Sequence, residues 1–460
     1  MAATTRLASG TLSSFGRSRP STISPRQFSR HLGSACPTRS PALARVRASR
    51  SILGSVPLPP SRFFGIFSAM VSALPTEAEL RPLAAKVKKQ FDVAIAEGDA
   101  FFYPSEAITL QESTDTGVLW QIRTVPALLK KPKANASSEV DGKAEDSTKD
   151  EKEDSKPKKA EQNKSDVFAP PYVPNLLVEE LDDHIVLLNK FCVVPQHFLM
   201  VTREFESQDL PPSPRTLALA YRIASSHRSE STELLAFYNC GQVSGASQPH
   251  RHLQFVQCPP LDTVGGGGGR GQEEGKGISE EDRDRILDSP TKIPVESLLD
   301  RIERDGKEED AIHALPLPYQ HFVSLLAPPP AIKKNDQELE KYIGNKFMGL
   351  LDAMFRARMF GDAKSKAGRP SFNILLSKRA LHVIPRSQEE FEGLPHDQAG
   401  KVGNLSINSL GYAGFMLTRS LEEQSELAKL EGGVEKVLAT TGVAPVEDVT
   451  IQAGLPTHHV

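Results

Sequence analysis

Seven short runs rich in branched and aromatic residues constrain this chain more than any other feature: HIVLLNKFCVVP (184–195), HFLMVTREF (197–205), LLAFYNC (234–240), HRHLQFVQC (250–258), FVSLLAPP (322–329), SFNILLS (371–377) and GFMLT (414–418). Each has the length of a strand, and several are separated by Pro or Gly turns. Strand and helix patterns do not alternate regularly, and no GxGxxG or Walker loop is present, which argues against a doubly wound parallel sheet. The expected fold class is α+β, a largely antiparallel sheet flanked by helices. Three helices are predicted. Leu83, Val87, Phe91, Ala94 and Ile95 recur at helical spacing before Gly98. Ser213 and Pro214 open a second helix through Leu217, Tyr221 and Ala224. A third carries Leu339, Tyr342, Ile343, Phe347, Leu350, Leu351, Met354 and Phe355 on one apolar face and ends at Gly361.

Two tracts cannot contribute to a core. Residues 131–166 are almost all Lys, Glu, Asp, Ser, Pro and Ala, and residues 263–280 open with five glycines and continue with mixed charges. Both are too polar to offset their ordering entropy by burial and read as insertions into one domain spanning 70–460. Residues 1–69 form a separate arm with ten Arg and no Lys, Asp or Glu, so a net charge of -3 for the chain leaves -13 for the rest. Such an arm has the composition of a mitochondrial transit peptide; a basic arm, or a true start at Met70, is the other reading. Location follows the same division, mitochondrial in the first case and cytoplasmic or nuclear in the second. An acidic remainder with a single Trp offers no broad basic, aromatic surface for a nucleic-acid polymer. No stretch approaches 18 consecutive apolar residues, so no membrane-spanning helix is expected. Cys36, Cys192, Cys240 and Cys258 show no CxxC spacing and suggest neither a zinc knuckle nor a disulfide framework. Oligomeric state is not legible.

The chemistry concentrates in NCGQVSGASQPHRHLQFVQC, residues 239–258. A strand of period two places His250, His252 and Gln254 on one face, about 6 to 7 Å apart, with Arg251, Leu253 and Phe255 on the other. The preceding Gly241, Ser244, Gly245, Ala246, Ser247 and Gln248 form a small-residue loop whose N–H groups can converge on an anion, and phosphate is the natural guest. A neutral imidazole beside a phosphate can attack phosphorus and form a covalent intermediate. Attack needs one free ring nitrogen, so the other must donate to an acceptor such as a backbone carbonyl. Gln254 can donate to a phosphoryl oxygen but cannot protonate a leaving group. The rival readings are a zinc pair recruiting Cys240 or Cys258, and two histidines simply satisfied within a strand.

HRHLQFV resembles the His-x-His-x-His/Gln motif of the histidine triad superfamily, in the branch where glutamine replaces the last histidine. FYNCGQVSGASQPHRHLQ is similar to fungal diadenosine tetraphosphate (Ap4A) phosphorylases, also called ATP adenylyltransferases. LLNKFCVVPQHFLMVTREF, FNILLSKRALHVIPRS and SINSLGYAGFMLTR look like further blocks of that family, in the same order. The resemblance implies a HIT-like fold and a nucleotidyltransferase that turns Ap4A and phosphate into ATP and ADP. His252 would be the nucleophile, His250 its support and Gln254 the holder of the adenylyl phosphate. A minor exchange of sulfate and phosphate on ADP would use the same intermediate. The resemblance further implies substrate-binding positions at Lys131, Asn189, Lys190, Asn239, Gly245, Ala246, Ser247, Gln248, Asn408, Ser409 and Leu410. Phe415 and Arg419 are also implied, although Met and Lys stand there in the family pattern. No organic cofactor is implied. A divalent cation, Mg2+ or Mn2+, is expected only as a companion of the tetraphosphate, since no dedicated carboxylate cluster is visible. Expected partners are the dinucleoside polyphosphate and phosphate. Arg386 reads as a solvated surface residue, and His197 and His382 as core histidines. Two alternatives remain at this stage: a sensor that binds the dinucleotide without turnover, and a hexose-1-phosphate nucleotidyl transferase using the same motif.

Overall fold

The computed structural model describes residues 72–130, 166–260, 277–304, 311–360, 369–398, 402–445 and 457–459, all within a unit that begins at Met70. The arm 1–69, residues 131–165 and 261–276 of the polar tracts, Lys131 and Gly361 lie outside the described residues.

All three predicted helices form. In α1 (Leu83–Glu97), Leu83, Val87, Phe91 and Ala94 are buried, and Gly98 closes the helix in the left-handed region at φ 79°. Ile95 faces outward. In α2 (Pro214–Ser226) the Ser213 hydroxyl accepts from the Thr216 N–H at 3.1 Å, satisfying one of the donors left open at a helix start. In α3 (Asp336–Phe360) Leu339, Ile343, Phe347, Leu350, Leu351 and Met354 are buried. Phe355 is exposed instead of joining that face, because it lies about 40° beyond Leu351, which already marks the edge of the buried arc.

Each of the seven runs contains a strand. Several further strands escaped the apolar-run criterion, and three show why. β1 (Ala107–Glu112) and β2 (Leu119–Thr124) are interrupted by Thr109, Gln111, Gln121 and Arg123, of which Gln121 and Arg123 are nevertheless buried. The third contains Pro385, a residue that speaks against a central strand. It is tolerated because the neighbouring strand stops opposite Val383, leaving one side of the chain without a sheet partner there.

The main sheet consists of β3 (Leu177–Glu180), β4 (His184–Leu188), β5 (Phe198–Thr202), β6 (Glu233–Cys240), β7 (His252–Cys258), β8 (Ile312–Ala314), β9 (Phe322–Leu325), β10 (Ser371–Leu376) and β11 (Ala380–Arg386). Its order is β8-β9-β11-β10-β6-β7-β5-β4-β3, antiparallel throughout, with Thr457–His459 added in parallel beside β8. The sheet separates two apolar layers, as the strand period requires. Tyr238, Leu253, Phe255, Phe372 and Ile374 face α1, α2 and α3. Leu235, Phe237, Val256, Leu375 and Ile384 face a second layer, made of a smaller sheet in which β12 (Phe415–Thr418) runs parallel to β2, together with the short C-terminal helices. His252 and Gln254 belong to this second face, because Gln254 pairs with Phe237.

Candidate active site

His252 begins β7 opposite Val201 of β5, and it is 2% exposed. The ladder joining β6 to β7 ends at the Phe237–Gln254 pair. Beyond it the Gln208 side chain takes over, accepting from His252 N at 2.9 Å while its amide donates to Asn239 O at 2.8 Å. The backbone of His252 is thus tied to the strand that launches the loop.

The His252 ring is fixed by its own neighbour. Nδ1 lies 2.8 Å from the His250 carbonyl, an acceptor only, so Nδ1 carries the hydrogen and Nε2 keeps its lone pair. Burial, the largest cause, pushes the imidazole down to about 4, against the opposing pull of the hydrogen bond to the His250 carbonyl. The ring is therefore neutral near pH 7 and poised to attack through Nε2. Phe168 stands over it at 5.1 Å between ring centres and over His250 at 6.1 Å. His250 meets Asp166 Oδ2 through Nδ1 at 2.9 Å and the Thr202 carbonyl through Nε2 at 2.8 Å. Gln254 is half-buried and has no side-chain partner among the described residues.

The loop from Gly241 to Gln248 is anchored from behind by a buried polar network. Asn373 donates to Asn239 Oδ1 at 2.8 Å and to the Ser244 carbonyl at 2.9 Å. Ser409 donates to Asn239 Oδ1 from its hydroxyl at 2.6 Å and from its backbone at 3.1 Å. Arg386 is 5% exposed, in contrast to the surface position its sequence context suggested. Its guanidinium donates to Asn373 Oδ1 at 2.8 Å, Ile407 O at 2.9 Å, Ser244 O at 3.2 Å, Thr441 O at 3.1 Å and Gln388 O at 2.8 Å, and it lies 5.0 Å from the Tyr412 ring centre. Those acceptors explain the burial: a rigid fork of donors is satisfied by carbonyls that the converging loops leave unpaired. Gly245 sits at φ 82°, and a Cβ there would come within 2.8 Å of both Asn408 Cβ and Ile407 O. Only glycine lets the loop turn against that wall.

The residues singled out in the sequence fall into three groups. Gly245, Ala246, Ser247 and Gln248 form the outer side of the loop, where Ser247 and Gln248 have no side-chain partner among the described residues. Asn239, Asn408, Ser409 and Leu410 hold it in place. Asn239 and Ser409 are buried, Asn408 accepts from Leu410 N at 3.0 Å, and Leu410 lies in the apolar layer. Asn408 is half-buried beside Gly245 of the loop. Phe415 is likewise packed in that layer, and Arg419 is engaged by the buried Glu423, NH2 to Oε1 at 2.5 Å. Asn189 closes the turn after β4, donating to His197 Nδ1 at 3.2 Å and accepting from Phe191 N at 3.1 Å. Lys190 beside it is exposed, its ammonium 5.8 Å from the Phe191 ring centre. His197 and His382 are buried, and His382 Nδ1 lies 3.0 Å from His321 Nε2. Asp166, Phe168, Gln208, Asn373 and Arg386 were not selected from the sequence. A polar Asn373 inside the apolar run SFNILLS was the one local signal among them.

Two family models match the chain in series: the Ap4A phosphorylase N-terminal domain over residues 75–265 and the ATP adenylyltransferase C-terminal domain over residues 315–444. A curated relative, diadenosine 5',5'''-P1,P4-tetraphosphate phosphorylase 2 of Saccharomyces cerevisiae, is 28% identical over 373 residues, covering 78% of this chain and 94% of that protein. Protein APA1 of the same yeast is 25% identical over 269 residues, covering 56% of this chain and 68% of its own. Among solved structures, yeast Ap4A phosphorylase Apa2 in complex with Ap4A aligns with a TM-score of 0.51 at 24% identity, over 82% of this chain and 98% of that one. The same protein in complex with AMP aligns with a TM-score of 0.52 at 23% identity, over 79% and 98%. These structures share the fold described above. With both domains matched in order across most of its length, the chain belongs to the Ap4A phosphorylase family of ATP adenylyltransferases.

Proposed function

We propose that this protein is an Ap4A phosphorylase working through an adenylyl-histidine at His252. The observation that carries the reading is the His252 Nδ1–H held by the His250 carbonyl at 2.8 Å, which leaves Nε2 as a fixed, neutral nucleophile. Nε2 attacks the α-phosphorus of one adenosine; the new N–P bond replaces the bond to the bridging oxygen, and ATP departs. Inorganic phosphate then attacks the same phosphorus, His252 leaves with its original lone pair, and ADP is formed. Ser247, Gln248 and the loop N–H groups supply donors for the phosphate oxygens as charge shifts onto them. Gln254 holds an adenylyl oxygen but has no proton to give a leaving group, which favours phosphorolysis over hydrolysis. Relatives crystallised with AMP and with Ap4A support the nucleotide class of ligand. Among the described residues no three His, Cys, Asp or Glu side chains form a group that could hold a metal ion. A Mg2+ or Mn2+ ion accompanying the substrate would screen the charge of the four phosphates.

The test is incubation of the purified chain with Ap4A, with and without phosphate. ATP plus ADP must form only when phosphate is present. Release of AMP without phosphate would make the protein a hydrolase, and binding without any product would make it a sensor.

A further inference from the structure

The reaction above gives Asp166 no task, yet this carboxylate makes two contacts that converge on the histidines. Its Oδ2 lies 2.9 Å from His250 Nδ1, and its Oδ1 accepts from Phe168 N at 3.0 Å, fixing the turn that carries the Phe168 ring across both imidazoles. The other His250 nitrogen, Nε2, faces the carbonyls of Thr202 at 2.8 Å and Glu204 at 3.2 Å, with the Thr202 hydroxyl, which can accept as well as donate, at 3.1 Å. Carbonyl oxygens only accept, so Nε2 carries a hydrogen; an ionised carboxylate only accepts, so Nδ1 carries one as well. The hydrogen bonds of His250 are thus those of an imidazolium held between a carboxylate and two main-chain oxygens. That same residue's carbonyl receives His252 Nδ1–H. Among the described residues the charged and titratable groups near this pair include His252 and Glu204, and beyond Asp166 stands Tyr172, whose hydroxyl senses Arg203, Glu180, Asp166 and Glu204.

Building on the assignment of His252 as nucleophile, we propose that Asp166 is a positioning residue of the reaction: it locks His250 as a fixed cation whose charge stands beside the nucleophile and whose carbonyl sets the nucleophile's tautomer. A cation there opposes protonation of His252 and meets the polyphosphate as it approaches Nε2. The carboxylate is needed for this, not merely its hydrogen-bonding capacity. An asparagine at 166 can still accept from Phe168 N and keep the turn, but its other atom becomes an N–H donor. It then demands that His250 Nδ1 accept, which converts the ring to the neutral Nε2–H form.

The experiment uses the full chain with 15N-labelled histidine, as wild type and as Asp166→Asn, Asp166→Glu and Asp166→Ala. Side-chain 15N spectra near pH 7 are expected to show both His250 nitrogens protonated in the wild type and Nδ1 unprotonated in Asp166→Asn. Single-turnover formation of adenylyl-enzyme from Ap4A is expected to slow by roughly 100-fold in Asp166→Asn, the scale of a misplaced reacting group, with KM little changed. Its acid limb should move to higher pH, and Asp166→Glu should restore part of the rate. The proposal is overturned if the wild-type His250 ring has one unprotonated nitrogen. It is equally overturned if Asp166→Asn adenylylates at the wild-type rate with an unmoved acid limb. Should a variant fail to fold, the wild-type spectrum decides alone. Should the wild type form no adduct with Ap4A, the assigned reaction fails, while the spectra still decide the role of Asp166.

Discussion

The nucleophile's burial makes a quantitative demand on stability. His252 titrates at about 4 in the folded chain, burial being the largest cause, against an ordinary value of 6.5. Between those values the unfolded chain binds more protons at this position than the folded one, so stability rises with pH across the window. The contribution is complete above pH 6.5 and is lost as pH falls toward 4. Converted at the free energy of one pKa unit, the loss is about 3 kcal/mol in all and about 2 kcal/mol by pH 5. His252→Asn removes the titration while keeping an N–H donor for the His250 carbonyl. The assay is urea denaturation of wild type and variant at pH 7.5 and pH 5. His184, also held at about 4 by burial, and the carboxylates contribute equally to both proteins and cancel in the comparison. The wild type should lose about 2 kcal/mol more than the variant on acidification. Equal losses within about 0.5 kcal/mol would refute the reasoning, since that is the usual error of such additivity. A kinetic corollary follows. Because the free enzyme's nucleophile is already unprotonated, kcat/KM for Ap4A should hold its plateau to near pH 5, and a decline centred near 6.5 would contradict the assigned state of the ring.

Gly245→Ala should destabilise the chain by about 2–3 kcal/mol, combining the left-handed backbone penalty with the contacts at Asn408 and Ile407, and should raise KM for Ap4A; an unchanged urea midpoint would remove the argument for that glycine. Arg386→Met keeps the volume but leaves the carbonyls of Ser244, Ile407, Thr441 and Gln388 without their donor. A loss of about 3–5 kcal/mol in urea denaturation is expected, and a wild-type midpoint would return Arg386 to the surface role its sequence suggests. Lys190→Ala should weaken Ap4A binding, more at low ionic strength than at high, without slowing the single-turnover step. A slowed step at unchanged affinity would place Lys190 in the chemistry instead.

The part of the site legible in the sequence is the part that is local. Strand period alone puts His252 and Gln254 on one face, and the small residues before them announce a loop that approaches a ligand; both signals lie within twenty consecutive positions. What holds these parts arrives from far along the chain. Asp166 reaches His250 across 84 residues and Arg386 reaches Ser244 across 142, separations at which composition carries no information. Asp166 was also camouflaged, ending a run of Lys, Glu and Asp that reads as solvated charge. Arg386 misled for a different reason: hydropathy scores a guanidinium as exposed, whereas its five N–H donors, fixed in one plane, can be met inside a fold wherever loop carbonyls converge. The strands β1 and β2 escaped because Thr109 and Gln111 interrupt the apolar pattern of the first and Gln121 and Arg123 that of the second, although Gln121 and Arg123 are buried.

The arrangement around His252 separates two requirements that conflict in one residue. A phosphorus nucleophile must be neutral, and burial secures that; a tetraphosphate must be met by positive charge, which burial opposes. The described residues divide the two between neighbours. His252 is stripped of water and stays neutral, while His250, two positions earlier, has a carboxylate and two carbonyls gathered around its ring. Arg386, behind the loop, is consumed by main-chain carbonyls and the Asn373 side chain and serves shape. The loop can then remain a cradle of small residues and main-chain donors, indifferent to which oxyanion enters. Under the proposed reaction Gln254 cannot exchange protons with the second substrate, which favours an anionic phosphate over water.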